Sequence, residues 1–134
     1  RFQEVIDDKF VQDANAVKRI LMCTGKMYYE LAAHQEAEKR QDIAIVRLEQ
    51  LYPLAKNQLN VIFAKYKNAE IVWVQEEPAN MGALWHLKHR LDHIDFNYVA
   101  RKNSASPATG YKKQHEKEQA KIIKRAFDLS AFKA

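Results

Sequence analysis

Cysteine, glycine and proline are scarce in this chain: its 134 residues include one, three and three of them. The single cysteine, Cys23, excludes an internal disulfide framework and is typical of a reducing compartment. The three glycines lie far apart along the chain, whereas a dinucleotide-binding fingerprint needs them within six residues. Gly25-Lys26 fails as a phosphate-binding loop, because Ile20 and Met27 stand where a glycine and a serine or threonine are needed. The sequence therefore lacks both common nucleotide-binding motifs.

Long apolar runs are also missing, and no stretch approaches the roughly 18 residues that a membrane span requires. The start, Arg1-Phe2-Gln3, has no initiator methionine, no apolar signal region and no transit-peptide pattern. We therefore expect the chain to be a piece of a longer protein. A length of 134 residues, 47% of them apolar and 29% charged, predicts one globular domain with a sizeable core.

The positive charge is concentrated late in the chain. The formal net charge is +5, and the segment 101–125 holds eight Lys or Arg against two Glu. A solvated basic helix face explains this pattern, and a docking face for an acidic partner is the main alternative. Nucleic-acid binding would favour interleaved aromatic side chains for stacking, and only Tyr111 lies near. We therefore expect neither a nucleic-acid partner nor a membrane.

Short apolar runs alternate with segments of helical spacing, which predicts a three-layer α/β fold with a mostly parallel sheet. The predicted strands cover residues 18–23, 43–48, 71–74 and 96–100, and the last one is expected near an edge. Pro53 is expected in the first turn of the second helix, and Asn80 is expected to cap the third. The last helix, about 112–128, should pack through Ala120, Ile123 and Phe127. Residues 17–134 form the predicted domain, preceded by a linker arm, residues 1–16.

Polar loops follow several of these strands, so they should gather at the carboxyl edge of the sheet, where α/β proteins usually bind partners. Glu49, Glu76 and Glu77 could be paired acid–base carboxylates, but helix capping or contacts with a neighbouring module explain them better. We expect no catalytic, cofactor-binding or metal-binding residue in this chain. The candidates for an inter-module edge are Gln50, Glu76, Glu77, Asn80 and Thr109.

Two further patterns have structural explanations. His86, His89 and His93 form one stripe of the third predicted helix, opposite its leucines, and are expected to be solvated. A structural zinc site would need four ligands, and no Cys or Glu of that helix joins them. Cys23 ends a strand that should be buried and has no histidine neighbour in sequence, so a structural thiol is expected.

Four blocks of the sequence occur in a characteristic order: residues 17–21 with 23–31, 43–53, 74–83 and 104–110. Together they resemble the C-terminal domain of the first component of 2-oxoglutarate dehydrogenase, a thiamine diphosphate-dependent, transketolase-like family. Residues 2–8 are similar to the segment that leaves the preceding pyrimidine-binding module in that family. One departure is Leu84, which stands between Ala83 and Trp85, where many members run directly from alanine to an aromatic residue.

The resemblance implies an enzyme of the tricarboxylic acid cycle that decarboxylates 2-oxoglutarate on thiamine diphosphate with magnesium. The succinyl group then passes to the lipoyl group of the second component, and lipoamide dehydrogenase is the third. It implies a homodimer, in the bacterial cytoplasm or the mitochondrial matrix, whose upstream modules hold the cofactor. This fragment would then be structural or regulatory. A 2-oxoadipate-type or bifunctional relative is an alternative within the family, and a free-standing basic α/β module for an anion or nucleic acid is one outside it.

Overall fold

A five-stranded sheet with strand order β1-β3-β2-β4-β5 organises the chain. The computed structural model describes residues 2–102 and 111–132. The strands are β1 Val5–Ile6, β2 Arg19–Thr24, β3 Ile43–Leu48, β4 Glu70–Pro78 and β5 Asn97–Arg101. The helices are α1 Gly25–Ala37, α2 Lys56–Lys65, α3 Leu84–Arg90 and α4 Tyr111–Phe127.

The sheet is parallel except at β1. Strand β2 lies at its centre and pairs in parallel with both β3 and β4, and β5 continues the parallel sheet beyond β4. The three inner strands are apolar on both faces because helices cover both faces. The prediction of a mostly parallel α/β sheet is therefore confirmed, and β5 is an edge strand as expected.

Alternate residues of the strands supply two separate cores. On one face, Ile20, Met22 and Trp73 pack with the buried sides of α2 and α3. On the other face, Leu21 and Val72 pack with α1 and α4. Successive side chains of a strand point to opposite faces, so one run of apolar residues serves both cores. The result is the expected three-layer arrangement.

Several predicted helix details are wrong. Helix α2 begins at Lys56, so Pro53 lies in the turn before it rather than in its first turn. The residue that caps α3 is Ala83, which has no side-chain cap, and Asn80 lies three residues before it. In α4, Ala120 is exposed rather than packed, whereas Phe127 is buried and Ile123 partly buried as predicted. The helix also buries Gln119, Ile122 and Ala126.

The N-terminal arm contributes a strand to the sheet. Val5 and Ile6 pair antiparallel with Leu48 and Arg47 of β3, and Val5 is buried. The side chain of Asp8 accepts hydrogen bonds from the Ile45 amide (2.7 Å) and from the side-chain amide of Gln35 (2.8 Å). Part of the predicted linker arm is therefore packed on the body. A domain boundary after residue 16 stays a prediction.

Candidate functional site: the carboxyl edge of the sheet

The carboxyl ends of β2, β3 and β4 meet at one edge, which we call the carboxyl edge and define by the loops at residues 24–26, 49–51 and 76–82. These strands are parallel, so their ends must lie on the same side of the sheet. Gly25 shows how closely two of the loops approach: a Cβ atom there would lie 3.3 Å from Glu49 Oε2. A surface shared by three loops is therefore present where the sequence predicts it.

Glu76 ties this edge to helix α1. Its Oε1 atom lies 3.3 Å from Lys26 Nζ, and the Glu76 side chain is only 15% exposed, whereas that of Lys26 is 68% exposed. Because the lysine is solvated, the ion pair contributes little to stability, on the order of 0–1 kcal/mol. Its main effect is to fix the direction of the Glu76 carboxylate.

Arg47 is a member of this edge that sequence analysis does not single out. Its side chain is 17% exposed, and its Nε atom lies 3.5 Å from Glu49 Oε1 without the geometry of a hydrogen bond. The guanidinium carbon lies 4.4 Å from the centroid of the Tyr28 ring and 5.8 Å from that of Tyr29. Arg47 thus stacks beneath two tyrosines of α1. The only feature of the sequence that could have indicated the role of Arg47 is its position as the single charged residue of the otherwise apolar strand β3.

Gln75 holds the loop between β4 and α3 in place. This glutamine is buried, and its Oε1 accepts a hydrogen bond of 2.8 Å from Trp73 Nε1. Its Nε2 donates to the backbone carbonyls of Glu77, Pro78 and Met81, at 3.1, 2.8 and 2.9 Å. One side-chain amide therefore satisfies three carbonyls of a tight loop.

The same loop needs a glycine at position 82. Gly82 has a φ of +70°, in the left-handed region that side chains disfavour, and a Cβ atom there would lie 3.1 Å from Gln75 Oε1. The loop is thus fixed from both sides, by the Gln75 amide and by the backbone of Gly82. The carboxyl edge presents a defined shape at this point.

The other predicted edge residues have different surroundings. Gln50 is half-buried, and its Nε2 donates to the Pro53 carbonyl at 2.9 Å. Glu77 is half-buried, and among the described residues its carboxylate has no hydrogen bond or ion pair. Asn80 is exposed near the tip of the loop. Thr109 lies outside the described residues. The structure thus places Gln50, Glu76, Glu77 and Asn80 in the loops of one edge without joining them in one pocket.

Large apolar side chains also stand exposed at or beside this edge. Tyr29, Tyr52, Met81 and Trp85 are between 58% and 70% exposed. The Tyr52 ring stacks on His86, with the ring centroids 4.0 Å apart. Exposed aromatic side chains next to polar loops are typical of a surface that binds another protein surface.

The histidine prediction is only partly right. His86 is half-buried, with its Nε2 atom 2.8 Å from the Leu51 carbonyl oxygen. His89 and His93 are exposed as expected, although His93 lies beyond the end of α3, with its Nε2 atom 3.3 Å from Asn60 Oδ1. Within the part of the chain that the structure describes, no three His, Cys, Asp or Glu side chains form a group that could hold a metal ion.

Cys23 is a buried thiol beneath the carboxyl edge. Burial raises its pKa to about 12, while the charge of Arg47 opposes that shift and Glu49 adds to it. Its Sγ atom contacts the carbonyl oxygen of Val46 at 3.9 Å. A thiol with so high a pKa is a poor nucleophile at neutral pH. This environment agrees with the expectation of a structural cysteine.

A mostly parallel sheet between two helical layers, with packed polar loops at its carboxyl edge, is a three-layer α/β module. Residues 1–127 match the family model described as 2-oxoglutarate dehydrogenase C-terminal, and the chain belongs to that family. The resemblance of the four sequence blocks is therefore confirmed.

The chain is similar to three bacterial relatives over almost its whole length. The oxoglutarate dehydrogenase of Buchnera aphidicola is 43% identical, covering 97% of this chain and 15% of the relative. The 2-oxoglutarate dehydrogenase E1 component of Azotobacter vinelandii is 38% identical, covering 96% and 14%. The E1/E2 component of Corynebacterium glutamicum is 41% identical, covering 96% and 11%. The chain thus spans between 11% and 15% of the length of these relatives.

Among the described residues, no helix is both long and apolar enough to cross a membrane.

Proposed function

We propose that this chain is the C-terminal module of a thiamine diphosphate-dependent 2-oxoglutarate dehydrogenase first component. The observation that carries the proposal is the family match over residues 1–127, together with relatives named for that activity. The full-length enzyme would decarboxylate 2-oxoglutarate and pass the succinyl group to a lipoyl group. Its partners would be the succinyltransferase and the lipoamide dehydrogenase of the same complex.

Within that enzyme the module would have no chemical step of its own. Thiamine diphosphate is held with a magnesium ion, which prefers oxygen ligands in near-octahedral geometry. The described residues offer no converging set of such side chains, so they do not fit this group. The cofactor would instead be bound by upstream modules of the full-length enzyme.

The role we propose is to brace the other modules and the homodimer. The carboxyl edge supports this role because it combines fixed polar loops with exposed apolar side chains. Gln75 and Gly82 hold the loop at residues 76–82 in one conformation, which lowers the entropic cost of docking it against another surface. The relatives compared here are bacterial, which favours the cytoplasm of a bacterium as the location.

Calorimetric titration with thiamine diphosphate and magnesium tests whether the upstream modules, rather than this chain, bind the cofactor. The isolated chain should fold, since its sheet closes two cores of its own, and it should show no binding. The full-length protein is the positive control, and it should bind the cofactor and release carbon dioxide from 2-oxoglutarate. Binding of the cofactor to the isolated chain with micromolar affinity would contradict the assignment. So would a full-length protein that prefers 2-oxoadipate.

A further inference from the structure

A groove of about 300 Å³ runs between the edge strand β5 and helix α4. Glu118, Lys121 and Arg125 follow one another at intervals of three and four residues, so they form one stripe of α4. That stripe is adjacent to the buried side of the helix and faces β5. The residues that line the groove are Val99, Ala100, Lys102, Glu118, Lys121, Ile122, Lys124, Arg125 and Asp128.

One wall of the groove is an open strand edge. Strand β5 is the last strand of the sheet and pairs only with β4 among the described strands. Alternate backbone N–H and C=O groups on its outer side are therefore left without a strand partner. A strand of five residues is about 16 Å long, which matches an extended peptide of about five residues.

The groove has an apolar floor and a cationic rim. Val99 and Ile122 are buried at 3% exposure each and form part of both the core and the groove. Four cationic residues line the groove against two acidic ones, Glu118 and Asp128. Lys121 is 69% exposed, and its Nζ atom is 3.9 Å from Glu118 Oε1, which is too far for a strong hydrogen bond. The ammonium group of Lys121 is thus open to a ligand.

We propose that this groove binds an extended acidic segment of another polypeptide by strand addition to β5. The peptide backbone would pair with the outer edge of β5, and its carboxylates would contact Lys102, Lys121 and Lys124. Its apolar side chains, at the alternate positions, would point to the opposite face of the sheet, away from α4. A nucleic-acid strand fits less well, because no aromatic side chain lines the groove in the described part of the chain.

The test uses the full-length protein and a fluorescent peptide in which glutamate and valine alternate, followed by fluorescence polarisation. The peptide should bind, and binding should weaken as ionic strength rises. A peptide with lysine in place of glutamate should not bind. A single-stranded oligonucleotide of equal charge should not displace the glutamate peptide. Displacement by the oligonucleotide would overturn the proposal in favour of a polyanion site.

Two N-methylated peptides separate strand addition from charge attraction. One is methylated on the valine amides and the other on the glutamate amides, and both keep every charge. In a strand, these two sets of amides point to opposite sides, so only one set can pair with β5. We expect one methylated peptide to lose binding and the other to keep it. Equal affinities for the two would overturn the proposal.

Charge reversal locates the site on the protein. The double variant Lys102→Glu, Lys121→Glu should weaken binding by about tenfold or more, as expected when two cationic contacts become repulsive. The matched control is Lys112→Glu, Lys113→Glu, which reverses the same charge on exposed residues of α4 outside the groove. It should change the affinity less than twofold. Equal losses in both variants would show that only overall charge matters and would overturn the proposal.

Discussion

At the scale of single residues, the buried thiol of Cys23 makes the free energy of unfolding depend on pH. Burial raises its pKa from the usual 9.0 to about 12. Between these two values the folded protein keeps a proton that the unfolded chain has lost. Because the unfolded state then binds fewer protons, the free energy of unfolding falls as pH rises above about 9.

Removing the thiol should remove this component of the pH dependence. Between pH 7 and pH 10, the isolated wild-type chain should lose about 1.4 kcal/mol of stability that the Cys23→Ala variant does not lose. The variant should be less stable at pH 7, because it leaves a small cavity. Tyr66, whose pKa is also raised by burial, titrates equally in both proteins and cancels in the comparison. Urea denaturation at the two pH values measures the difference, and parallel losses would contradict it.

At the scale of elements, a buried arginine joins the start of β2 to the end of α4. Arg19 is fully buried, and its side chain forms an ion pair of 3.1 Å with Glu70. Its two terminal nitrogens also donate to the carbonyls of Ala126 (2.8 Å), Asp128 (2.9 Å) and Ala131 (3.1 Å). The last carbonyls of a helix have no partner within the helix, so the guanidinium serves as a C-terminal cap from another element.

Replacing Arg19 by methionine keeps much of the volume but removes these donors. We expect Arg19→Met to lower the stability of the isolated chain by about 3 kcal/mol, because buried carbonyls lose their partners. Amide exchange at residues 126–132 should quicken more than exchange in the strands. The matched control is Lys18→Met, at the exposed neighbouring residue, which should change stability by less than about 0.5 kcal/mol. Slow exchange at the end of α4 in Arg19→Met would refute the capping role.

The central elements could be predicted from the sequence, whereas some of their contacts could not. Strands β2, β3 and β4 each contain a run of at least four consecutive apolar residues, as expected of strands that are covered on both faces. Helix α4 has adjacent isoleucines, Ile122 and Ile123, so the sequence allows two rotations of the helix about its axis, each of which would turn a different isoleucine towards the sheet. Packing against β5 selects the rotation that buries Ile122 more deeply. Strand β1 has only two residues, too few for any periodicity, and it depends on pairing with β3.

The residues of the candidate site also fall into two groups, those that could be placed from the sequence and those that could not. Glu76 and Gln50 could be placed at the carboxyl edge, because the ends of parallel strands must meet there. Gln75 and Arg47 could not be identified, since their importance depends on partners that packing brings near. For Gln75 these partners include the backbone carbonyls of residues 77, 78 and 81, which leave no trace in side-chain patterns.

At the scale of the whole molecule, the two surfaces of interest are formed by different residues. The carboxyl edge is formed by the ends of β2, β3 and β4 and the loops after them, whereas the basic groove lies between β5 and α4. A module with two such surfaces can contact its own upstream modules through one of them and another polypeptide through the other. Changes at one surface should then leave the other functional.

The last prediction concerns Glu77 in the full-length protein. Glu77 is half-buried at the carboxyl edge, and its backbone carbonyl is fixed by Gln75 at 3.1 Å. Its carboxylate has no partner among the described residues, so a cation from a neighbouring module would suit it. Reversing the charge by Glu77→Lys should therefore lower the free energy of unfolding or of dimer formation by more than the roughly 0.5 kcal/mol usual for a surface change.

The isolated chain provides the decisive comparison for this variant. There Glu77→Lys should be nearly neutral, because the contact that it disrupts is absent, and a deficit should appear only in the full-length protein. Glu116→Lys is the matched control, since it makes the same charge change on an exposed residue of α4. Differential scanning calorimetry and analytical ultracentrifugation measure the two effects. Wild-type stability and assembly of full-length Glu77→Lys would mean that this part of the edge faces solvent.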